Sequence, residues 1–405
     1  MSPVSLLPVS DALERVLEGV QPLPAEDMPL AEAHGRVLAD DLPALRTHPP
    51  ADVSAMDGYA VRAQDIALVP ARLKIIGEVA AGRPFSGKVG LREAVRIFTG
   101  GVMPQLADAV VIQERTEKDG EFVTVQQSVK PERNVRRAGL DFKAGDILLK
   151  KGTRLSSRHL ALAAAMNHAF VPVPRAPKVA LFATGDELVP PGSAPGPGQI
   201  TYSNGFALAA LIRMEGGQLM DLGIVADRLD DTVAAIARAR RWGADVLVTA
   251  GGASVGEYDL VQQALGSTGL KLSFWKVALR PGRPLLHGRL GTMQVLGVPG
   301  NPVSAFVCAF LFLVPLMRRL AGRSDLSAAH ETAELGSALS ENDERTDYLR
   351  ATLQMGPQGL RATPLPIQDS SMLSSLALAD CFIVREPFAP AAPAGSACSI
   401  VKLGL

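Results

Sequence analysis

Hydrophobic and polar positions change period several times along this chain. From Ser10 to Gly19, Leu13, Val16 and Leu17 fall on one face at helical spacing, with Ser10 placed to cap and Asp11 and Glu14 placed in the first turn. Pro29 to Leu38 reads as a second helix. From about Leu45 to Asp141 the pattern becomes that of strands. Leu73 to Val79, Ala94 to Phe98, Ala109 to Ile112 and Phe122 to Val125 are β-rich runs separated by Gly, Pro and charged turns. Helical spacing returns from Ser157 to His168. The flanking helices therefore read as one split, elongated domain, residues 1–44 and 143–176, interrupted by a β-rich insert over residues 45–142.

Residues 177–325 alternate strongly between the two patterns. Lys178 to Ala183, Asp245 to Thr249 and Met293 to Val298 are apolar strand candidates, and Asn204 to Met214, Asp231 to Arg241 and Pro302 to Leu320 are helical. Such alternation predicts a doubly wound, mostly parallel sheet with helices on both faces, whose ligands collect beyond the carboxyl ends of the strands. Val189 to Gly198 is a Pro/Gly-rich loop within this unit. After Ser324 the chain turns polar and strand-like, with runs at Asp347 to Leu353 and Phe382 to Arg385, so residues 326–405 read as a small β domain. The expected class is a multidomain α/β plus β protein.

Composition narrows the function more than the fold. With 41 basic and 41 acidic residues, the net charge of zero gives no support to a nucleic-acid partner held by bulk charge. Cys308, Cys381 and Cys398 are too few and too scattered for a disulfide framework, which points to the cytoplasm. The most apolar run, Val303 to Met317, is shorter than the roughly 20 residues needed to span a bilayer and contains Pro315. It reads as a buried core helix, so no membrane partner is expected, and the N-terminus has no basic-then-apolar signal pattern.

Three segments carry candidate chemistry: Thr184-Gly185-Asp186-Glu187-Leu188, the run from Thr249 to Asp259, and Pro299-Gly300-Asn301-Pro302-Val303-Ser304-Ala305. Each follows a strand-like run. Glycines there let backbone N–H groups approach a ligand, and helix N-termini favour anions. An isolated acidic pair after a strand is commonly a cap or a solvated loop charge. Asp186, Glu187, Asp227 and Asp259, however, all sit at strand ends of one sheet, where a divalent cation would reconcile carboxylates with an anion-binding turn. Gly251, Gly252 and Ser254 form the glycine turn. In the corner after Met293 to Val298, Pro302 suits the first helical position and Asn301 the cap, while Pro299-Gly300 implies close backbone approach. Lys276, Arg280 and Arg283 surround Pro281-Gly282 and are either a solvated face or an oxyanion clamp. Asn134, Arg136, Arg137 and Asp141 form a second polar cluster that on its own reads as solvated charge.

Taken in order and spacing, Met56-Asp57-Gly58-Tyr59-Ala60, Thr99-Gly100, the three segments above, Arg345 to Leu349 and Gln368 to Leu376 resemble the molybdopterin molybdenumtransferases of the MoeA and gephyrin E-domain type. The resemblance covers nearly the whole chain. It implies four subdomains, with the central α/β unit binding molybdopterin and the C-terminal domain β-barrel-like. It also implies a homodimer that inserts molybdate into adenylylated molybdopterin, with Mg²⁺, releasing molybdenum cofactor and AMP. Catalytic roles are then expected at Asp57, Thr99, Asp141, Glu187, Asp227, Asp259 and Lys276. Substrate binding is expected at Arg136, Gly251, Gly252, Ser254, Arg280, Arg283, Pro299, Asn301 and Ser304, and metal binding at Glu187, Asp227 and Asp259. Other proteins of molybdenum cofactor biosynthesis are further candidate partners.

This chain departs from the family pattern in places. Arg280 and Arg283 replace the lysines that often flank the Pro-Gly, Leu140 replaces a common acidic residue, and Ser371 and Asp380 replace glycine and asparagine. Arginine keeps the charge but does not supply a proton. Two other readings share parts of the sequence. Molybdopterin adenylylation would use the central α/β unit alone, and the Asp57 and Thr99 motifs argue against it. A gephyrin-like scaffold for partner peptides would not require Asp227, Asp259 and Lys276, all present here.

Overall fold

The computed structural model describes residues 6–80, 82–251, 260–356 and 359–404. Two compact units emerge: Asp27–Val173, and Met1–Glu26 together with Pro174–Leu405. Within Asp27–Val173 a six-stranded sheet runs in the order Ala109–Ile112, Gly58–Val61, Glu93–Ile97, Ala71–Val79, Phe122–Val125, Thr116–Asp119. Both faces of this sheet are covered. Tyr59, Val61, Leu73 and Val111 pack into one apolar cluster, and Ala60, Val79, Val95 and Val110 into another. A third cluster packs Leu38, Leu42, Phe142 and Leu155 with Ala163 and Met166, from the helix Ser157–Ala165 and the residue after it.

Two N-terminal expectations are corrected. Pro29 to Leu38 is not a helix: it contributes the end of the strand Ala25–Pro29 and the 3₁₀ turn Leu30–Glu32. Gly35, at φ +77°, breaks any helical continuation. The N–H groups of Gly35 and Leu38 donate instead to the carbonyls of Leu155 and Thr153. The first helix is Val9–Leu17, and Pro8, not Ser10, stands at its N-cap. The Ser10 hydroxyl donates to its neighbour Asp11 at 2.9 Å.

In the second unit, the central sheet runs Gln218–Val225, Lys178–Thr184, Val246–Ala250, Met293–Val298, Leu286–Leu290, Lys271–Phe274. The first four strands are mutually parallel and the last two pairings antiparallel. Strand alternation divides the core in two. Leu181, Val246 and Val248 point with Ile212 and Leu316 to one side, while Ala180, Phe182 and Leu247 point with Ile236 and Leu265 to the other. The helices Asn204–Met214 and Pro302–Leu320 thus cover one face, and Leu229–Trp242 and Leu260–Ser267 the other. The 19-residue helix Pro302–Leu320 has a mean hydropathy of 1.8, yet 83% of its most apolar stretch is buried within the protein, as a core helix requires.

The C-terminal domain is a small closed barrel. Thr346–Gly356 pairs with both Gly359–Pro364 and Cys381–Arg385, and His330–Leu335 and Ala397–Lys402 complete the circuit. Ala333, Leu335, Ala351, Ala362, Ile383 and Ile400 fill it. One strand of its sheet, Leu279–Arg280, comes from the α/β domain and pairs in parallel with Thr346–Asp347.

Candidate active site

Lys178–Thr184 is flanked by Gln218–Val225 on one side and Val246–Ala250 on the other, so the strand order reverses about it. Doubly wound sheets open a crevice at such a point. Here a cleft of about 820 Å³ lies at the carboxyl ends, lined by Thr184, Glu187, Asp227, Gly251, Arg283 and the corner Pro299 to Pro302, among others.

Glycine makes the close approaches. At Gly251, φ is +86° and an added Cβ would lie 2.8 Å from the Thr184 carbonyl oxygen. Any larger residue there would push two strand ends apart. Gly300 sits against it, an added Cβ falling 3.8 Å from the Gly251 Cα. The Gly300 carbonyl accepts a hydrogen bond from the Asn204 side chain at 2.7 Å, which ties the start of a second helix to the same corner. Gly185, at φ +148°, leaves room for the Glu187 carboxylate, whose Oε2 is 2.5 Å from where a Cβ would stand.

The carboxylates gather where the strands end. Asp186 accepts the backbone N–H of Asp227 at 3.2 Å. Burial pushes the Asp227 carboxyl up from its ordinary value, and the charges of Asp186 and Glu187 push it further. A carboxylate whose ionisation is opposed by burial and by two neighbouring acidic side chains is one that a divalent cation relieves. Among the described residues no three His, Cys, Asp or Glu side chains are close enough to hold a metal by themselves. Asp259, the third expected ligand, lies outside the described residues, as do Gly252 and Ser254. Magnesium commonly takes one or two carboxylates and completes its shell with water and substrate phosphates, so Glu187 and Asp227 fit it.

Asn301 occupies the N-cap position of the helix that begins at Pro302, but its side chain does not cap. It donates instead to the Ser370 hydroxyl at 2.9 Å, and the Ser370 carbonyl accepts the Val303 N–H at 3.1 Å. The C-terminal domain thereby satisfies one of the free amides of this helix. Arg350, fully buried, supports that loop: its N–H donates to Gln368 at 3.0 Å and its Nη2 to the Ile367 carbonyl at 3.3 Å. Ser304 is buried within the helix.

The cationic run divides. Arg283 lines the cleft, with Nε donating to the Val277 carbonyl at 3.4 Å. Lys276 lies over the Trp275 ring, 5.1 Å from its centroid, and neither it nor Arg280 is among the cleft-lining residues. Arg280 is held by Asp347, Asp343 and Asn342.

The remaining expected residues belong to the Asp27–Val173 unit. Asp57 accepts both the N–H and the hydroxyl of Thr99, at 2.7 and 2.8 Å, and these bonds, the N–H first, hold its carboxyl below the usual range. Arg136 is exposed on the short strand Val135–Arg136, which pairs with Val53–Ser54. Asp141 is exposed too, its N–H donating to the His48 carbonyl at 3.1 Å.

Sequence reasoning missed Tyr202, Asn204 and Ser371 as cleft residues. A signal was present in Gly205: an added Cβ there would collide with the Tyr202 hydroxyl, so the glycine marks the packing of that ring on the helix start.

Comparison with known proteins agrees with this fold. Residues 7–167 match the MoeA N-terminal region (domain I and II), 180–319 a probable molybdopterin binding domain, and 332–403 the MoeA C-terminal region (domain IV). A molybdopterin molybdenumtransferase of Haemophilus influenzae is 35% identical over 386 residues, covering 94% of this chain and 95% of the relative. One from Nostoc sp. is 40% identical over 308 residues, covering 73% and 70%. The crystal structure of a molybdopterin biosynthesis moeA protein from Pyrococcus horikoshii superimposes with a TM-score of 0.86 at 32% identity, covering 98% of this chain and 99% of that one.

Proposed function

The chain belongs to the molybdopterin molybdenumtransferase family, and from that premise we propose that it inserts molybdate into adenylylated molybdopterin, releasing molybdenum cofactor and AMP. The carrying observation is one cleft that combines Glu187 and Asp227 with the Gly251 and Pro299–Asn301 backbone corners and Arg283. Pterin phosphate, adenylate and molybdate are all anions, so the protein must bring like charges together. The glycine corners admit phosphate oxygens to backbone N–H groups, and Arg283 offers a planar cation to an oxyanion. Asn204 holds the two sides of that binding surface in register. Glu187 and Asp227, with Asp259, are the proposed holders of Mg²⁺, which when bound supplies positive charge between the phosphates and polarises the anhydride.

Asp57, Thr99, Arg136, Asp141 and Lys276 carry their proposed roles from the family pattern, as do Gly252, Ser254 and Ser304. Four subdomains, 1–44 with 143–176, 45–142, 177–325 and 326–405, a homodimer and a cytoplasmic setting complete the proposal. The matches to the N- and C-terminal regions, beyond the central domain, favour insertion over the adenylylation of molybdopterin. Purified protein incubated with adenylylated molybdopterin, Mg²⁺ and molybdate should release AMP and cofactor together, dependent on both ions. AMP release that ignores molybdate would refute the insertion reading.

A further inference from the structure

Arg280 and Arg283 flank the same Pro-Gly turn but are held in different ways. Leu279–Arg280 pairs as a strand with Thr346–Asp347 of the C-terminal barrel, and the Thr346 N–H donates to the Ala278 carbonyl at 3.0 Å. The Arg280 guanidinium completes that junction. Nε donates to Asp347 Oδ1 at 2.6 Å, Nη2 to Asp347 Oδ2 and to Asn342 Oδ1, and Nη1 to Asp343 Oδ2 at 3.0 Å. Asp347 is only 4% exposed, and Asn342 in turn ties the carbonyls of Arg345, Arg385 and Glu386. Two carboxylates already surround this one cation, so it has little field left for a molybdate dianion. Arg283, by contrast, has no carboxylate partner among the described residues.

The turn between them is fixed on both sides. Gly282 has φ +148°, and an added Cβ would meet Leu279 Cδ2 at 2.5 Å and Cys308 Sγ at 3.0 Å. The buried Cys308 thiol donates to the Gly282 carbonyl at 3.4 Å. A shift of Arg280 therefore has no slack in which to dissipate before it reaches Arg283. We infer that Arg280 is a positioning residue: its two-pronged pair with Asp347 fastens the strand ahead of the turn to the C-terminal barrel, and so sets where Arg283 presents its cation to the oxyanion substrate. Cleft and barrel are coupled through this pair. The substrate class rests on the function proposed above; the coupling does not.

The test uses the full chain carrying Asp347→Asn, Arg280→Lys or both, with Arg283→Ala for comparison. Each of the first two variants should lower kcat/KM for molybdate by roughly tenfold, and the double variant should be no worse than the poorer single, because both break one pair. Lysine should not rescue, since it keeps the charge but lacks the fork. Hydrogen exchange of residues 278–286 in substrate-free protein should quicken in these variants while the strand Lys178–Thr184 stays protected, and should be unchanged in Arg283→Ala. If Arg280 instead bound substrate directly, Asp347→Asn would free it and lower KM for molybdate, and Arg280→Lys would retain most activity; either result overturns the inference, as does unchanged exchange. Should Asp347→Asn fail to fold, Arg280→Lys alone decides. Absence of AMP release by the wild-type chain would overturn the proposed function, while the exchange measurement would still decide the coupling.

Discussion

Two single residues have proton affinities displaced by their surroundings. Asp227 has a carboxyl raised by burial and by Asp186 and Glu187, so its contribution to stability is present below the unfolded value and lost as pH rises through the folded one. At neutral pH its charge opposes folding. Asp227→Asn should therefore melt no lower than wild type without metal, while AMP release is abolished. Mg²⁺ at about a hundredfold over its Kd should raise the wild-type melting temperature by roughly 5 °C or more and the variant's by less. Equal shifts in scanning calorimetry would remove Asp227 from the metal site. His287 runs the other way. It is 1% exposed, its Nε2 faces Gln294 at 3.1 Å and its Nδ1 has no partner among the described residues, and burial first of all pushes it down to about 4. The folded protein keeps it neutral where the unfolded chain takes up a proton, so stability is full above about pH 6.5 and falls as pH drops from there toward 4. The loss is about 3 kcal/mol at most. Urea titrations at pH 7 and 5 should show it, and His287→Leu should flatten that dependence. Neither effect was legible in the sequence, because each depends on neighbours from other segments: Asp186 beside Asp227, and the Gln294 side chain, on the adjacent strand, against His287, whose register partner is Leu296.

At the scale of elements, periodic stretches that pack on one face were readable. Asn204–Met214 and the span Pro302–Leu320 have their expected bounds, and Ala109–Ile112 and Phe122–Val125 fall where alternation put them. What failed was Pro29 to Leu38, whose local pattern is overridden by hydrogen bonds to residues more than 100 positions away. The strands Leu286–Leu290 and Lys271–Phe274 also went unseen. They extend the sheet antiparallel, and short apolar runs of that kind carry no period of their own. Helix ends are joined by a link that only the fold could reveal. Glu215, which closes the helix Asn204–Met214, accepts from Arg318 at 2.6 and 3.0 Å and from Arg323 at 2.7 Å. The side chains of all three are 10% exposed or less. Glu215→Ala would leave Arg318 without its carboxylate and Arg323 with Asp325 alone, and should cost about 3–5 kcal/mol. Guanidinium chloride unfolding with a change below about 1 kcal/mol would mean that water or Asp325 already compensates.

For the whole molecule, the class of fold was legible from the alternation of apolar runs, and the edge of the sheet where the cleft opens was legible because glycines and carboxylates recur at the ends of those runs. The partition of the arginines was not. Arg280 and Arg283 lie three positions apart and are the same residue type; Asp343, Asp347 and Asn342 of the C-terminal domain hold the first, while the second lines the cleft. The central sheet ends at Gln218–Val225 on one side and Lys271–Phe274 on the other, and the proposed assembly covers such exposed margins with a second copy. Light scattering at micromolar concentration should give twice the 42.6 kDa chain mass. A fully active monomer would refute the dimer.

The strand Leu279–Arg280 also governs how this unit comes apart. A segment hydrogen-bonded into one domain and covalently continuous with the turn of another cannot melt with either alone. Heating should then dissolve the α/β sheet and the barrel in a single cooperative step, so that the calorimetric and van't Hoff enthalpies of residues 174–405 agree. A chain cut before residue 326 would lose not a passive appendage but the sheet edge on which one wall of the cleft is hung, leaving Arg280 without Asp343 and Asp347. Evolution of the barrel is in that sense evolution of the cleft: a substitution among its strands reaches the substrate through two residues of shared β-structure.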